Sequence, residues 1–299
     1  MAVAQVWIDK GYAKTIVLGI VQVARSSYYA HTKVKVQRSY ANTGRKAPGH
    51  SYTFNGEKVN DIVIQKYIAE LKNRKTEQHY GYKKITQCLR KMYNLKINKK
   101  KVRRLMRILK LLFPKKRTHR KRVSRVCKQV KVTASNQLWQ MDIKYSFIAG
   151  IKKTAYITSI IDVHDRSIIA HSIDLSCTGD VAKKVLIEAL YTRGLKDNPG
   201  DLVIRTDNGS QFVSAKFEGA CIKEKVMHER IPVKSPNYNA FIESYHRYLQ
   251  DECLTGMIYR SLDHIQYDVA DFVYRYNNER IHSAIGYIPP HEYYLENVS

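Results

Sequence analysis

The chain has 299 residues, 44% of them hydrophobic, and carries 52 Lys and Arg against 26 Asp and Glu, a formal charge of +26. That apolar share is ordinary for a folded chain and excludes a fully disordered polycation. No apolar run reaches the roughly 18–20 residues that cross a bilayer, no secretory-signal pattern opens the chain, and five scattered cysteines without CxxC spacing argue against a disulfide framework or a zinc knuckle.

Residues 1–35 read as a small helical segment, with residues 11–30 in two short pieces broken near Gly19 and Gln22–Tyr29 as the second helix of a helix-turn-helix. Residues 36–57, with Gly44, Pro48, Gly49 and Gly56, read as a linker. Residues 58–112 follow as a helical region. Val59, Ile62, Ile64, Tyr67, Ile68 and Leu71 recur with a helical period. Ile85, Cys88, Leu89 and Met92 form one apolar stripe and Val102, Leu105, Met106 and Leu109 a second, joined by a turn over 94–98. Asn98 is the expected N-cap. Residues 113–135 hold Pro114 and the string KKRTHRKRVSRVCKQVK, a basic linker arm.

From residue 136 the pattern changes to strands over 138–147, 154–163 and 167–175, a helix over 180–193, and a short buried strand over 201–206. A helix near 215–224, a strand near 226–231 and helices over 239–254 and 262–278 complete the chain. That order predicts an α/β layer fold on a mixed five-stranded sheet.

Charge divides the chain at the same place. The first 135 residues hold 34 Lys and Arg against 5 Asp and Glu, and the remainder 18 against 21. Between Glu77 and Asp142 there are 21 basic residues and no acidic one. Such a segment repels itself unless a polyanion neutralises it. Nucleic acid is the leading partner, because each neutralised phosphate also releases counterions; a solubilising face is the alternative. Lys99, Lys100 and Lys101 open a helix, where cations oppose the helix dipole, so they are better placed for phosphates than for helix stability. The expected DNA contacts are Lys83, Lys84, Lys99, Lys100, Lys101, Arg103, Arg104, Arg107, Lys115, Lys116, Arg117 and Arg120, with Arg247, Gln250 and Arg280 from the second half.

Three acids stand out by local context. Asp142 lies inside a strand between apolar neighbours, an unfavourable place for a carboxylate without a partner. Asp207 ends a strand, at the edge where open α/β sheets place their sites. Glu243 sits near the start of a helix, on one face with Arg247 and Gln250. Carboxylates from three separate elements suit Mg²⁺, and two such ions can drive phosphoryl transfer. Strand-end acids also occur without function, as Asp162 and Asp165 illustrate; His246 reads as a surface residue.

The acids and their flanks, NQLWQMDIKY, RTDNGSQF, SPNYNAFIESYH and YNNERIHSAIGYIPPHEY, with HYGYKKI and LGIVQVARSSYY upstream, resemble the second-frame (OrfB) transposases of the insertion-sequence-three family, in the superfamily of DDE transposases and retroviral integrases. The resemblance covers nearly the whole chain. It implies an RNase H-like catalytic core over 136–299, preceded by a basic, mainly helical DNA-binding region. Asp142, Asp207 and Glu243 would be the catalytic triad and would bind two Mg²⁺ or Mn²⁺ ions. The implied reaction is cleavage at the element's 3′ ends followed by strand transfer. The implied partners are element-end and target DNA, further copies of the chain on DNA, and the upstream-frame (OrfA) product, in the bacterial cytoplasm at the nucleoid. A structural zinc is not expected. Relatives often carry Lys or Arg seven residues after the Glu; here Gln250 stands there, and Arg247 on the same helical face is the substitute. A catalytically inactive DNA-binding protein and an RNase H-like nuclease remain the alternative readings.

Overall fold

The computed structural model describes residues 1–32, 48–114, 132–232 and 236–298. Most of the expected linker and the basic arm, with Lys115, Lys116, Arg117 and Arg120, lie outside the described residues. The chain forms two compact units, Met1–Pro48 and Gly49–Ser299.

In the first unit α1 (Ala2–Asp9), α2 (Lys14–Ile20) and α3 (Arg25–Thr32) bury Ala4, Val17, Leu18 and Tyr28. The Tyr28 hydroxyl donates to Gln5 Oε1 at 2.9 Å. The expected break near Gly19 falls later. Gln22 takes a left-handed conformation (φ 53°), and the N–H of Val23 returns to the Leu18 carbonyl, a bonding pattern that ends a helix. Helix α1 was not separately marked in the sequence; it spans only two turns, and its apolar positions Val3, Val6 and Trp7, at helical spacing, are exposed while Ala4 is buried.

In the second unit, chain that reads as linker is already structured. β1 (His50–Thr53) pairs antiparallel with β2 (Lys58–Asn60), and Gly56 supplies the positive φ of 88° in their turn. Next comes α4 (Asp61–Asn73), N-capped by Asn60, whose side chain accepts the N–H of Ile62 at 3.0 Å. Then follow α5 (Tyr82–Met92), β3 (Leu95–Lys96) and α6 (Lys99–Ile108), with β3 pairing on the other side of β1. Asn98 caps α6 by accepting from Lys100 N at 2.8 Å. Ile64, Ile68 and Leu71 of α4, Ile85 and Leu89 of α5, and Val102, Leu105 and Met106 of α6 meet in one core. Met92, expected in that core, is exposed at the end of α5.

The remainder is built on a five-stranded sheet of order β6-β5-β4-β7-β8, from β4 (Leu138–Ile148), β5 (Lys153–Asp162), β6 (Ile168–Asp174), β7 (Val203–Thr206) and β8 (Met227–Arg230). The pairs β4–β5 and β5–β6 are antiparallel; β4–β7 and β7–β8 are parallel. This is the mixed sheet expected from the sequence. Helices α7 (Gly179–Thr192) and α8 (Ala215–Lys223) cover one face with Val185, Leu186 and Phe217. Helices α9 (Ala240–Leu249) and α10 (Leu262–Asn278) cover the other with Ile242, Tyr245, Leu249, Val269 and Phe272. Alternation along β4 decides what each face receives: Trp139, Met141 and Ile143 enter the α7–α8 core, which turns Gln140 and Asp142 toward α9. The last helix, α11 (Pro290–Val298), was not predicted, although Pro290 in its first turn is a recognised start signal.

The region over 58–112 docks on the C-terminal part of this unit. Lys75 pairs with Asp271 at 2.7 Å, Thr76 Oγ1 donates to Glu279 Oε2 at 2.7 Å, and the N–H of Ile281 donates to the Tyr80 hydroxyl at 3.0 Å.

The strand-end acids Asp162 and Asp165 are structural. Asp162 is fully buried and accepts from Asn136 N, Trp139 Nε1, His164 N and Asp165 N. Asp165 accepts from Ser135, Ser167 and Arg193. Burial, and then the charge of Asp165, push the Asp162 carboxyl up to about 6 against its N–H donors. A folded-state acid raised in this way contributes more to stability below its unfolded value of 3.8 than above about 6. The stability advantage of the wild type over Asp162→Asn is therefore expected to shrink as pH rises from about 4 to about 6 in urea titrations. An advantage that widens over that range would mean the four donors outweigh burial.

Candidate active site

The parallel register of β4 and β7 sets two of the three acids side by side. Gln140 lies opposite Arg205, and two residues further along each strand stand Asp142 and Asp207. Asp207 is the first residue beyond β7. Its Oδ1 accepts the N–H of Gly209 at 2.8 Å, and the Asn208 side chain fastens the turn to the Ile231 carbonyl at 2.8 Å. A side chain at Gly209 would displace Gln211, because a Cβ would stand 2.3 Å from Gln211 Nε2, and it would also crowd Asp207 Oδ1 at 3.0 Å. Ordinary turn chemistry thus explains the Asp-Asn-Gly sequence and also aims the carboxylate.

Helix α9 supplies the third acid. Ile242, Tyr245 and Leu249 bury one stripe against β4 and β5, which leaves Glu243 and Arg247, one turn apart, on an exposed face. The Arg247 guanidinium lies 5.4 Å from the Tyr248 ring. Gln250 belongs to the wider turn Gln250–Leu254 and donates to Thr255 Oγ1 at 3.2 Å, so its amide is partly engaged within the protein.

The charge of Asp142 acts on both of the other carboxylates. Partial burial raises Asp207, the charge of Asp142 adds to the rise, and the Gly209 N–H opposes it. Glu243 is raised by burial and then by Asp142, with His246 opposing. Asp142 bonds its own neighbour, accepting from Ile143 N at 2.8 Å, and its Oδ2 lies 3.4 Å from His246 Nδ1. His246 is buried, not on the surface as its sequence context implied, because the period of α9 turns it inward beside Tyr245. Tyr145, three residues after Asp142, is exposed beside the site and stacks edge-on against Tyr156 at 5.4 Å, whereas Trp139 is core.

Among the described residues no three His, Cys, Asp or Glu side chains are close enough, as they stand, to enclose one metal ion. The donor set nevertheless fits a hard divalent cation: three carboxylates, all oxygen, from three separate elements, with Asp142 raising the pKa of the other two. Of the three, Glu243 is exposed and can turn toward an ion.

The expected DNA contacts divide into exposed and engaged groups. Lys99, Arg103 and Arg107 repeat at four-residue spacing along one exposed stripe of α6, with Lys100 beside them and Lys83 exposed on α5. Lys101 and Arg104 pair with Asp61 at 2.5 and 2.8 Å. They anchor α6 to α4, and only Arg104 keeps substantial exposure. Two expectations are corrected. Arg280 is buried, holds Glu252 through two bonds of 2.7 and 3.1 Å, and stacks on Tyr248 at 4.0 Å. Lys84 has its Nζ buried 4.6 Å from the Tyr80 ring centre. Burial, and then Arg280, lower its pKa to about 7. Neither side chain faces solvent as a DNA contact must.

Sheet order and helix placement are those of an integrase core, and sequence-family models agree. Two models described as an integrase core domain match residues 132–236 and 224–290, and one described as an HTH-like domain matches 58–119. The chain therefore matches an integrase core domain over residues 132–290, preceded by an HTH-like region. Its relatives come from insertion sequences. It is 28% identical over 73% of its length to an uncharacterised 39.2 kDa protein of insertion element IS476 from Xanthomonas euvesicatoria, spanning 61% of that protein. It is also 28% identical over 55% of its length to the transposase InsF of insertion sequence IS3fB from Escherichia coli, spanning 56% of that protein. The HTLV-2 integrase catalytic core domain in complex with magnesium aligns with 55% of this chain and 99% of that one, at 16% identity and a TM-score of 0.39. No helix among the described residues is long and apolar enough to cross a membrane.

Removing the charge of Asp142 relieves the repulsion that raises Asp207 and Glu243. In EDTA at neutral pH, Asp142→Asn is expected to melt about 1–4 °C higher than the wild type, and added Mn²⁺ to raise the wild-type midpoint more than the variant's. Equal midpoints with and without Mn²⁺ in both proteins would show that the three acids are uncoupled.

Proposed function

We propose that this chain is the catalytic part of a DNA transposase that cleaves the 3′ ends of an insertion sequence and joins them to target DNA. The observation that carries the reading is the placement of Asp142 on β4 next to Asp207 at the end of β7, with the charge of Asp142 also acting on Glu243 of α9, in a chain whose HTH-like region carries an exposed basic stripe. Its insertion-sequence relatives support the same reading. The chain spans 61% of the first of those relatives, so the activity of a complete transposase is part of the proposal.

The three carboxylates are assigned to two Mg²⁺ or Mn²⁺ ions, which when bound polarise the scissile phosphate and lower the pKa of the attacking oxygen. In the first reaction water adds to the phosphorus at the element's end and the 3′ oxygen leaves, taking a proton. In the second, that 3′ hydroxyl adds to a target phosphodiester and a target 3′ oxygen leaves, so the number of phosphodiester bonds is conserved. The residues of this chain orient the strand. Lys99, Arg103 and Arg107 neutralise backbone phosphates of the element's end, and Arg107's neighbours on the buried face keep the stripe rigid. Arg247, on the Glu243 face of α9, steadies a phosphate near the cleavage point. DNA is the partner, and assembly of several copies on paired ends, with the upstream-frame product at the bacterial nucleoid, completes the reading.

The test is incubation of the full chain with labelled element-end duplex and Mg²⁺ or Mn²⁺, with and without the upstream-frame product. Nicked and joined products are expected, and Ala at Asp142, Asp207 or Glu243 is expected to lower both by ~10³-fold or more while DNA binding persists. Cleavage retained in all three variants contradicts the assignment, and nicking without joining favours a nuclease. Binding is also expected to weaken at least ~10³-fold between roughly 50 and 200 mM salt, and Arg103→Ala to reduce the salt slope by about one. An affinity insensitive to salt rules out phosphate-dominated binding.

A further inference from the structure

Gln140 and Arg205 are neighbours across the parallel β4–β7 pairing, and each stands two residues before a site acid. Both are buried. Both donate to one atom, the carbonyl oxygen of Tyr238: Gln140 Nε2 at 2.6 Å and Arg205 Nη1 at 3.3 Å. The Gln140 Oε1 also accepts the N–H groups of Phe241 and Ile242 at 3.2 and 3.1 Å. These are first-turn donors of α9, groups that no helix can satisfy internally. Asn239, at the N-cap position, makes no side-chain cap bond, so the cap comes from the neighbouring strand. Arg205 is held in turn by Glu229 of β8, at 2.9 and 2.8 Å, and its guanidinium lies 5.4 Å from the Tyr238 ring. Glu243 follows Ile242 directly.

We infer that Gln140 and Arg205 form a latch that fixes Glu243 relative to Asp142 and Asp207. They are positioning residues: in this structure they hold the start of α9 and touch none of the three acids' oxygens. The apolar stripe of α9 anchors the helix to the sheet from Ile242 onward, but it does not bond the first-turn amides or the Tyr238 carbonyl. The latch ties that turn to the two strands bearing the other acids. This inference rests on the assignment of the three acids as metal ligands. A purely structural cap would change stability and leave metal affinity and turnover alone, which separates the two roles.

The test uses the full chain, Mn²⁺ and element-end duplex, with Gln140→Leu and Gln140→Glu. Leu has similar bulk and removes all three bonds. Glu keeps the acceptor toward Phe241 and Ile242; ionised, it loses the donor to Tyr238 and sets a buried charge against that carbonyl. In Gln140→Leu, amide exchange at Phe241 and Ile242 is expected to accelerate while α10 amides keep their rates. The Mn²⁺ concentration for half-saturation, read by calorimetry, is expected to rise ~10-fold or more. Turnover is expected to fall ~10²-fold with KM for DNA unchanged. Gln140→Glu is expected to recover the amide protection and most of the metal affinity. Wild-type Mn²⁺ affinity and turnover in Gln140→Leu overturn the latch. Should that variant not fold, Gln140→Met and Arg205→Lys carry the test through weaker Mn²⁺ binding, and wild-type affinity in both overturns it. Failure of the metal assignment looks different: the wild type itself binds no Mn²⁺, or Asp207→Asn binds it undiminished.

Discussion

Asp142 repels both Asp207 and Glu243, and the rest of the sheet and its helices are arranged to hold the three acids there. Asp142 cannot leave, because β4 is the central strand of the sheet and its alternate residues are fixed in the α7–α8 core. Asp207 cannot leave, because the Gly209 amide and the Asn208 side chain close its turn. The third acid rides on a helix whose apolar stripe and strand-borne cap bind it to the same sheet. Rigid backbone thus balances a repulsion that a divalent cation would turn into attraction.

The polar interior divides into two kinds of carboxylate with opposite fates. Asp162 and Asp165 are saturated with donors from backbone, Trp139, serines and Arg193, and have nothing left to offer a ligand. Asp142, Asp207 and Glu243 accept few bonds and keep exposed oxygens. The same contrast separates the cations. Arg280 and Lys84 are consumed where the helical region docks on the C-terminal segment, while Lys99, Arg103 and Arg107 have no acid on their face of α6. Availability, more than charge, distinguishes a functional group from a structural one.

The order of strands and helices after residue 136 was legible in the sequence because period-two and helical stripes there are long and clean. The three acids were singled out through their flanking motifs, and Asn98 was legible as a cap through its place before an apolar stripe. What escaped had a physical reason. β1 and β2 are short and set among glycines and prolines, so composition suggested a linker. Arg280 and Lys84 looked free because a charge carries no mark of its distant partner. His246 sits in a helix with aromatic residues on several sides, and only the packed structure shows which of them face inward. Gln140 was within reach of period-two reasoning, lying on the same face of β4 as Asp142, but nothing local shows that its partner is a turn ninety-eight positions away.

The central claim is that Asp142, Asp207 and Glu243 share divalent metal. Crystals grown with Mn²⁺ test it most directly, since anomalous scattering locates the ion without reference to activity. Manganese density between these three carboxylates, with Glu243 turned inward, is the expected result. Manganese bound elsewhere, or not at all while all three side chains are ordered, would contradict it.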